Sequence, residues 1–229
     1  MTRIRIAFLI PVAIALAAAT ISAGGWAVIT VDALPDRIEA GRAVTFAFTV
    51  RQHGHNPLSG LTARVEAGAG SQRISANANA GRNAGQYTAS LTFPRAGDWS
   101  ITIQSGFMTS KLTLLPLTVV DAGGPLQASV SGAEKGRQLF VAKGCVTCHV
   151  SDVASPNESL KLAPALIPKK YQDEFLARIL ANPAATLPTP RDAAQMPNLG
   201  LDQPEIAALV AFINDGSRPY TNTTAEKQR

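Results

Sequence analysis

The chain contains two regions with different hydrophobic patterns, and they meet near residue 121. In residues 26–120, apolar and polar positions alternate in short runs, which is typical of half-buried β-strands. The clearest run is residues 43–50, whose large apolar side chains share one face: Val44, Phe46, Phe48 and Val50. After residue 133 the apolar positions recur every three or four residues, which indicates amphipathic helices.

The first region is predicted to be all-β. Further runs with strand character cover residues 27–31, 61–66, 86–93, 99–104 and 111–120. Turn signals separate them, among them Asn56-Pro57, the glycines of 68–70 and the sequence Asn-Ala-Gly at 83–85. Six or seven short strands in about a hundred residues predict an Ig-like antiparallel sandwich over residues 24–121.

The second region is predicted to be all-α, with helices over residues 133–144, 171–181 and 203–214. Pro204 lies at the start of the last helix and Gly216 after its end, as expected for helix boundaries. Residues 122–132 are rich in Gly, Pro and Ser and are interpreted as a flexible linker that lets the helical domain swing. The domain extends over residues 133–217, and the polar tail 218–229 is predicted to be disordered.

The N-terminus has the pattern of an export signal. Arg3 and Arg5 precede an apolar run over residues 6–21, which ends in Ser-Ala-Gly-Gly. This predicts a signal peptide over residues 1–23 and a periplasmic or otherwise extracytoplasmic protein. The alternative is an uncleaved anchor that holds the protein on the membrane, because the run approaches the length needed to cross a bilayer.

The formal charge of +5 is spread along the chain. Residues 24–132 contain eight basic and six acidic residues, whereas residues 133–217 contain eight basic and nine acidic ones. Neither domain has the strongly basic face that nucleic acid requires, so a nucleic-acid partner is excluded.

The segment Cys145-Val146-Thr147-Cys148-His149 is the chemical centre of the sequence. Two thiols at this spacing with a histidine directly after the second are typical of covalent haem attachment, with the imidazole as an iron ligand. A zinc site needs more ligands, and the other histidines, His53 and His55, lie far upstream. A thioredoxin-like redox pair needs an alternating β/α pattern that this chain lacks.

The second iron ligand is predicted to be Met196, in the segment Gln195-Met196-Pro197-Asn198-Leu199. A thioether on the far side of the iron stabilises the ferrous form and raises the reduction potential. We therefore expect one covalent haem c with His149 and Met196 as its axial ligands.

Residues 133–216 resemble the small cytochromes c with histidine and methionine ligands. The resemblance rests on these positions: Gly136, Leu139, Phe140, the Cys145–His149 motif, Ala163-Pro164-Ala165-Leu166, Met196-Pro197-Asn198-Leu199 and the segment 205–213. It implies that the Pro164 carbonyl accepts a hydrogen bond from His149. It also implies that Gly136 and Phe140 pack across Leu209 and Phe212. Ala163 stands where the family usually has glycine.

Most of residues 26–120 resemble the exported, Ig-like YtkA or FixH-like domains. The motifs that carry this resemblance are Leu34-Pro35-Asp36, Ala40-Gly41, the segment 50–54, Gly85-Gln86-Tyr87 and Gly97-Asp98-Trp99. The resemblance implies a fold more firmly than an activity.

These observations predict an exported electron carrier that exchanges single electrons with redox partner proteins and is not an enzyme. Its β-sandwich is expected to dock or orient it on a larger respiratory complex. One alternative is a haem sensor or peroxidase-like protein, in which Met196 leaves the iron. Another is a copper-handling protein that uses His53 and His55, with Met108 as a soft additional donor.

Overall fold

A computed structural model of the chain describes residues 25–35, 37–124, 130–151, 154, 159–166, 171–187 and 195–215. The predicted signal peptide, residues 1–23, and the predicted tail, residues 218–229, lie outside the described residues. Within them, an all-β domain is followed by an all-α domain, and the predicted fold class is confirmed.

The described strands of the β-domain form two sheets. The strands are β1 (Ala27–Val31), β2 (Ile38–Glu39), β3 (Ala43–Gln52), β4 (Asn56–Pro57), β5 (Arg64–Ala69), β6 (Gln72–Asn77), β7 (Asn79–Ala80), β8 (Gln86–Thr92), β9 (Gly97–Gln104), β10 (Lys111–Thr113) and β11 (Leu117–Val120). One sheet has the order β1-β3-β8-β7, with β4 beside β3. The other has the order β2-β11-β9-β5-β6, with β10 beside β9. The described pairs are antiparallel, apart from β2 with β11.

The core lies between the inner faces of these sheets. Phe46, Phe48 and Val50 of β3 are fully buried, as their alternation predicts. Trp99 packs edge-on against Phe93, with ring centroids 5.3 Å apart. Aromatic burial of this extent supplies much of the stability of a small sandwich.

Several strand predictions need correction. Asn56-Pro57, predicted as a turn, forms β4, and the two-residue strands β2 and β7 were not predicted. The strand predicted at 61–66 begins at Arg64, because the Leu61 amide instead donates to the Tyr87 hydroxyl (3.1 Å). It continues through Gly68, which was assigned to a turn. The strand predicted at 111–120 divides at residues 114–116, since Pro116 has no amide hydrogen for a ladder. Strand β6 was not predicted, because a mostly polar strand at a sheet edge has little hydrophobic alternation.

The described helices are α1 (Gly132–Ala142), α2 (Asp173–Ala181), α3 (Pro183–Thr186) and α4 (Gln203–Asp215). Ser131 caps α1 by accepting a hydrogen bond from the Glu134 amide (3.2 Å). Helix α1 packs against α4, and the rings of Phe140 and Phe212 lie 5.4 Å apart. The short helix α3 was not predicted; Asn182 caps it and Pro183 begins it. No helix among the described residues is long and apolar enough to cross a membrane.

The two domains are in direct contact where β1 meets the end of α1. The Lys143 amine donates to the Asp32 carbonyl oxygen (2.9 Å) and pairs with Glu205 Oε1 of α4 (2.7 Å). Gly144 lies so close to β1 that a Cβ there would be 2.5 Å from the Ile29 carbonyl oxygen. Its φ of +78° also favours glycine. The linker was expected to let the helical domain swing relative to the sandwich. The contacts of Lys143 and Gly144 instead attach the helical domain to strand β1.

Lys143→Met is expected to lower the free energy of unfolding by about 2–3 kcal/mol. The Lys143 side chain is only 6% exposed, so its loss leaves the Glu205 carboxylate and the Asp32 carbonyl without their cation. Lys135→Met on the exposed face of α1 is the matched control. Denaturant unfolding of both proteins measures the difference, and equal stabilities would show that the Lys143 contacts contribute little.

Candidate functional site

The end of α1 turns the Cys145–His149 motif towards a cleft. After Ala142 the chain turns at Gly144 and continues as a single 3₁₀ turn, Cys145–Thr147. The Cys145 carbonyl then accepts from the amides of Cys148 (3.2 Å) and His149 (2.9 Å). These bonds fix the motif as a compact turn with both sulfurs and the imidazole at the cleft.

The His149 imidazole is oriented by the Pro164 carbonyl, whose oxygen lies 2.9 Å from Nδ1. Because a carbonyl oxygen only accepts, Nδ1 must carry the proton, which leaves the lone pair of Nε2 free for a metal. Burial lowers the pKa of His149, and the bond to Pro164 opposes this effect. The imidazole is therefore kept neutral, as iron ligation requires.

The Pro164 segment is held against the motif by backbone bonds. The Leu160 amide donates to the Thr147 carbonyl (2.9 Å), and the Ala163 amide donates to the Cys148 carbonyl (3.1 Å). Lys161 has the positive φ (55°) in this segment, and Ala163 does not. The alanine in place of the family's usual glycine is thus accommodated without backbone strain.

Both cysteine thiols have raised pKa values, so they ionise less readily than free cysteine. Burial raises the pKa of Cys145 to about 12, and the neighbouring Cys148 adds to the shift. Burial also raises the pKa of Cys148. As free thiols the pair is therefore protonated at neutral pH, which suppresses reactions that need a thiolate.

The structure brings all five predicted site residues to one cleft. Its lining residues are Val28, Lys143, Gly144, Cys145, Cys148, His149, Leu162, Ala163, Pro164, Leu187, Gln195, Met196, Pro197 and Leu199. Two thiols, an oriented imidazole and a thioether within mostly apolar walls are the donors and the environment that haem c requires. The residues that line the cleft therefore fit haem c.

Val28 is a site residue that the sequence analysis missed. It belongs to β1 of the sandwich, yet it lines the cleft and is 3% exposed. All five residues of β1 are buried, because one face of the strand packs in the sandwich and the other meets the helical domain. The unbroken apolar run Ala27-Val28-Ile29 was a usable signal, since it is typical of a strand covered on both faces.

The histidines considered for copper lie on a turn of the β-domain. The His53 ring packs tilted against Trp26, with centroids 5.4 Å apart. His55 Nε2 lies 3.0 Å from the Gln195 carbonyl oxygen. Met108 is 63% exposed. Within the described part of the chain, no three His, Cys, Asp or Glu side chains are grouped to hold a metal ion, and the copper site stays a prediction.

Comparisons with known proteins identify the helical region. No curated protein matches the chain. Domains 1–6 of the surface layer protein SbsC are 23% identical, with a TM-score of 0.32 over 42% of this chain and 13% of that one. The Lin-41 filamin domain is 11% identical, with a TM-score of 0.31 over 42% of this chain and 93% of that one. This chain therefore covers only a small fraction of the length of SbsC. The resemblance of residues 26–120 to YtkA or FixH-like domains stays a prediction. Residues 133–217 match the family model described as Cytochrome c, so the C-terminal region of this chain is a cytochrome c region.

Proposed function

We propose that this protein is an exported mono-haem c-type cytochrome that passes single electrons between redox partner proteins and transforms no substrate. The observation that carries the proposal is the cleft in which Cys145, Cys148, His149 and Met196 meet. When bound, haem c supplies a one-electron iron couple. The family match over residues 133–217 supports haem-based electron transfer.

Each group in the cleft has a defined task. Cys145 and Cys148 provide the thioether links, and His149 provides the nitrogen ligand in the tautomer set by Pro164. Met196 provides the sulfur ligand. The apolar side chains of Val28, Leu162 and Leu199 line the cleft, and apolar walls limit water access and raise the reduction potential.

Met196→Ala is expected to lower the reduction potential by a substantial part of the roughly 0.8 V range that axial ligands cover. The thioether that stabilises ferrous iron is then absent. The oxidised variant should lose the far-red sulfur-to-iron charge-transfer band, and the reduced variant should bind carbon monoxide. Met108→Ala, which removes an exposed methionine, should change neither property. Rapid carbon monoxide binding by the unaltered protein, without the band, would favour the sensor or peroxidase-like alternative.

The proposal places the protein outside the cytoplasm, with residues 1–23 as its export signal. Cell fractionation and N-terminal sequencing test this. A mature chain that begins after Ala23 is expected in the extracytoplasmic soluble fraction. An intact N-terminus in the membrane fraction would instead favour the anchored form, and cytoplasmic apoprotein would contradict export.

The β-domain is proposed to dock or orient the carrier on a larger complex. Strand β6 is the edge of its sheet and presents Ser75 to solvent. A photo-crosslinking residue at Ser75 is expected to capture the partner. Capture only from a position beside the cleft, such as exposed Ala165, would contradict docking through this edge.

A further inference from the structure

The chain around Met196 depends on its surroundings for its position. Residues 195–202 form neither helix nor strand. Within this stretch the Gly200 amide donates to the Asn198 side-chain oxygen (3.0 Å), a bond on one side of Met196 only. Groups that hold the neighbouring residues therefore influence where the thioether lies.

The β-domain contacts this chain on both sides of Met196. Before it, His55 Nε2 lies 3.0 Å from the Gln195 carbonyl oxygen, across 140 positions of sequence. After it, the Pro197 ring packs against Gly54, where a Cβ would be only 3.3 Å from Pro197 Cγ. Gly54 is buried although it lies in a turn between two exposed histidines.

The turn that makes these contacts, His53–Gly54–His55, is firmly attached to the sandwich. We call it the histidine turn. It connects β3 to β4, and its residues His53 and Gly54 have φ values of 52° and 81°. The His53 amide donates to the Trp26 carbonyl (3.1 Å), and the His55 amide donates to the Gln52 carbonyl (3.1 Å). The backbone of the turn is thus held on the sandwich, and the His55 ring extends from it to the helical domain.

We propose that the histidine turn positions the sulfur ligand of the haem by holding the chain on both sides of Met196. His55 is a positioning residue, because its Nε2–H donates to the Gln195 carbonyl oxygen. Gly54 has no side chain, so the Pro197 ring can lie directly against its backbone. This role rests on the proposed function, in which Met196 ligates the iron, and it makes the β-domain part of the redox site. Val28, which reaches the same cleft from β1, places a second part of the β-domain there.

His55→Ala removes the contact before Met196 and leaves the rest of the turn in place. One net hydrogen bond changes an equilibrium by roughly two- to tenfold. Added imidazole must displace Met196 to reach ferric iron, so its apparent Kd should fall by that factor. The far-red charge-transfer band should weaken, and the backbone amides of residues 196 and 198–200 should exchange hydrogen faster.

Two further variants separate positioning from general destabilisation. His55→Gln retains a side-chain N–H donor at similar reach and should restore the imidazole affinity and the band. His53→Asn removes the ring contact with Trp26 but keeps the backbone bond from residue 53 to the Trp26 carbonyl and the contact of His55 with Gln195, and asparagine tolerates a positive φ. It should match the unaltered protein in all three measurements.

The outcomes distinguish this proposal from the proposed function. An unaltered protein without the charge-transfer band would overturn ligation by Met196, and this role with it. A normal band in the unaltered protein, together with His55→Ala behaving like His53→Asn, would overturn the role of the histidine turn alone. So would a His55→Gln protein that resembles His55→Ala.

Discussion

Replacing Cys145 and Cys148 together by alanine is expected to yield a chain that releases all its haem into acidified organic solvent. The unaltered protein should retain its haem in the same extraction, because thioether links survive denaturation. The full sequence contains only these two cysteines, so no other thiol can substitute. Absorption of the polypeptide after extraction measures the retained haem.

The matched control for this experiment is Thr147→Ala, which alters one of the two residues between the thiols and retains both sulfurs. It should keep its haem through extraction. Single replacement of Cys145 or Cys148 should leave one thioether link and an altered spectrum. Pigment that remains with the double variant would show another mode of attachment, and pigment lost from the unaltered protein would contradict the proposed function.

The double variant also has a structural consequence. The cleft separates Met196 from the motif at the end of α1, and Leu162 and Leu199 are among the apolar residues that line it and would contact a bound haem. Without a covalently held haem those side chains would lose that contact. We expect the helical region to unfold at a lower temperature, whereas the sandwich core around Trp99 should be less affected.

The features predicted most accurately are those that depend on residues close together in the sequence. The motif at 145–149 is contiguous, and the helix over 203–214 has a clear period and a proline at its start, so both were recognisable. The Phe46 and Phe48 face of β3 followed from simple alternation. In each case the informative residues lie within a few positions of one another, where periodicity and spacing carry the signal.

The contacts between the domains could not be predicted from the sequence. His55 meets Gln195 across 140 positions, and Lys143 meets Asp32 across 111. No periodicity relates such residues, because their proximity is set by how two domains pack. The sequence therefore offered His55 only as an alternative copper ligand, judged from its own short segment, whereas the structure places its ring against the chain that carries Met196. Pro164 was found only through the resemblance to a family.

Gly136→Ala is expected to destabilise the helical region by about 3 kcal/mol or more, as overpacking of a tight contact does. Within an exposed helix the same change stabilises by up to about 1 kcal/mol, because alanine is the better helix former. Here a Cβ would overlap the Ala208 carbonyl of α4 and lie 2.6 Å from Phe212 Cβ. Backbone cannot move aside as a flexible side chain can, so the helices must separate.

Gly132→Ala provides the matched control, since a Cβ at the first residue of α1 meets nothing within 4 Å. It should leave the unfolding temperature unchanged or slightly higher, whereas Gly136→Ala should lower it clearly. Thermal unfolding followed by both circular dichroism and haem absorption measures this. Because α1 leads into the Cys145–His149 motif and α4 follows the Met196 segment, the proposed function predicts that separation of the helices also weakens the sulfur-to-iron band before unfolding. Equal stability of the two variants would mean that α1 and α4 do not approach this closely, and that the two ligand-bearing segments are held in place by other contacts.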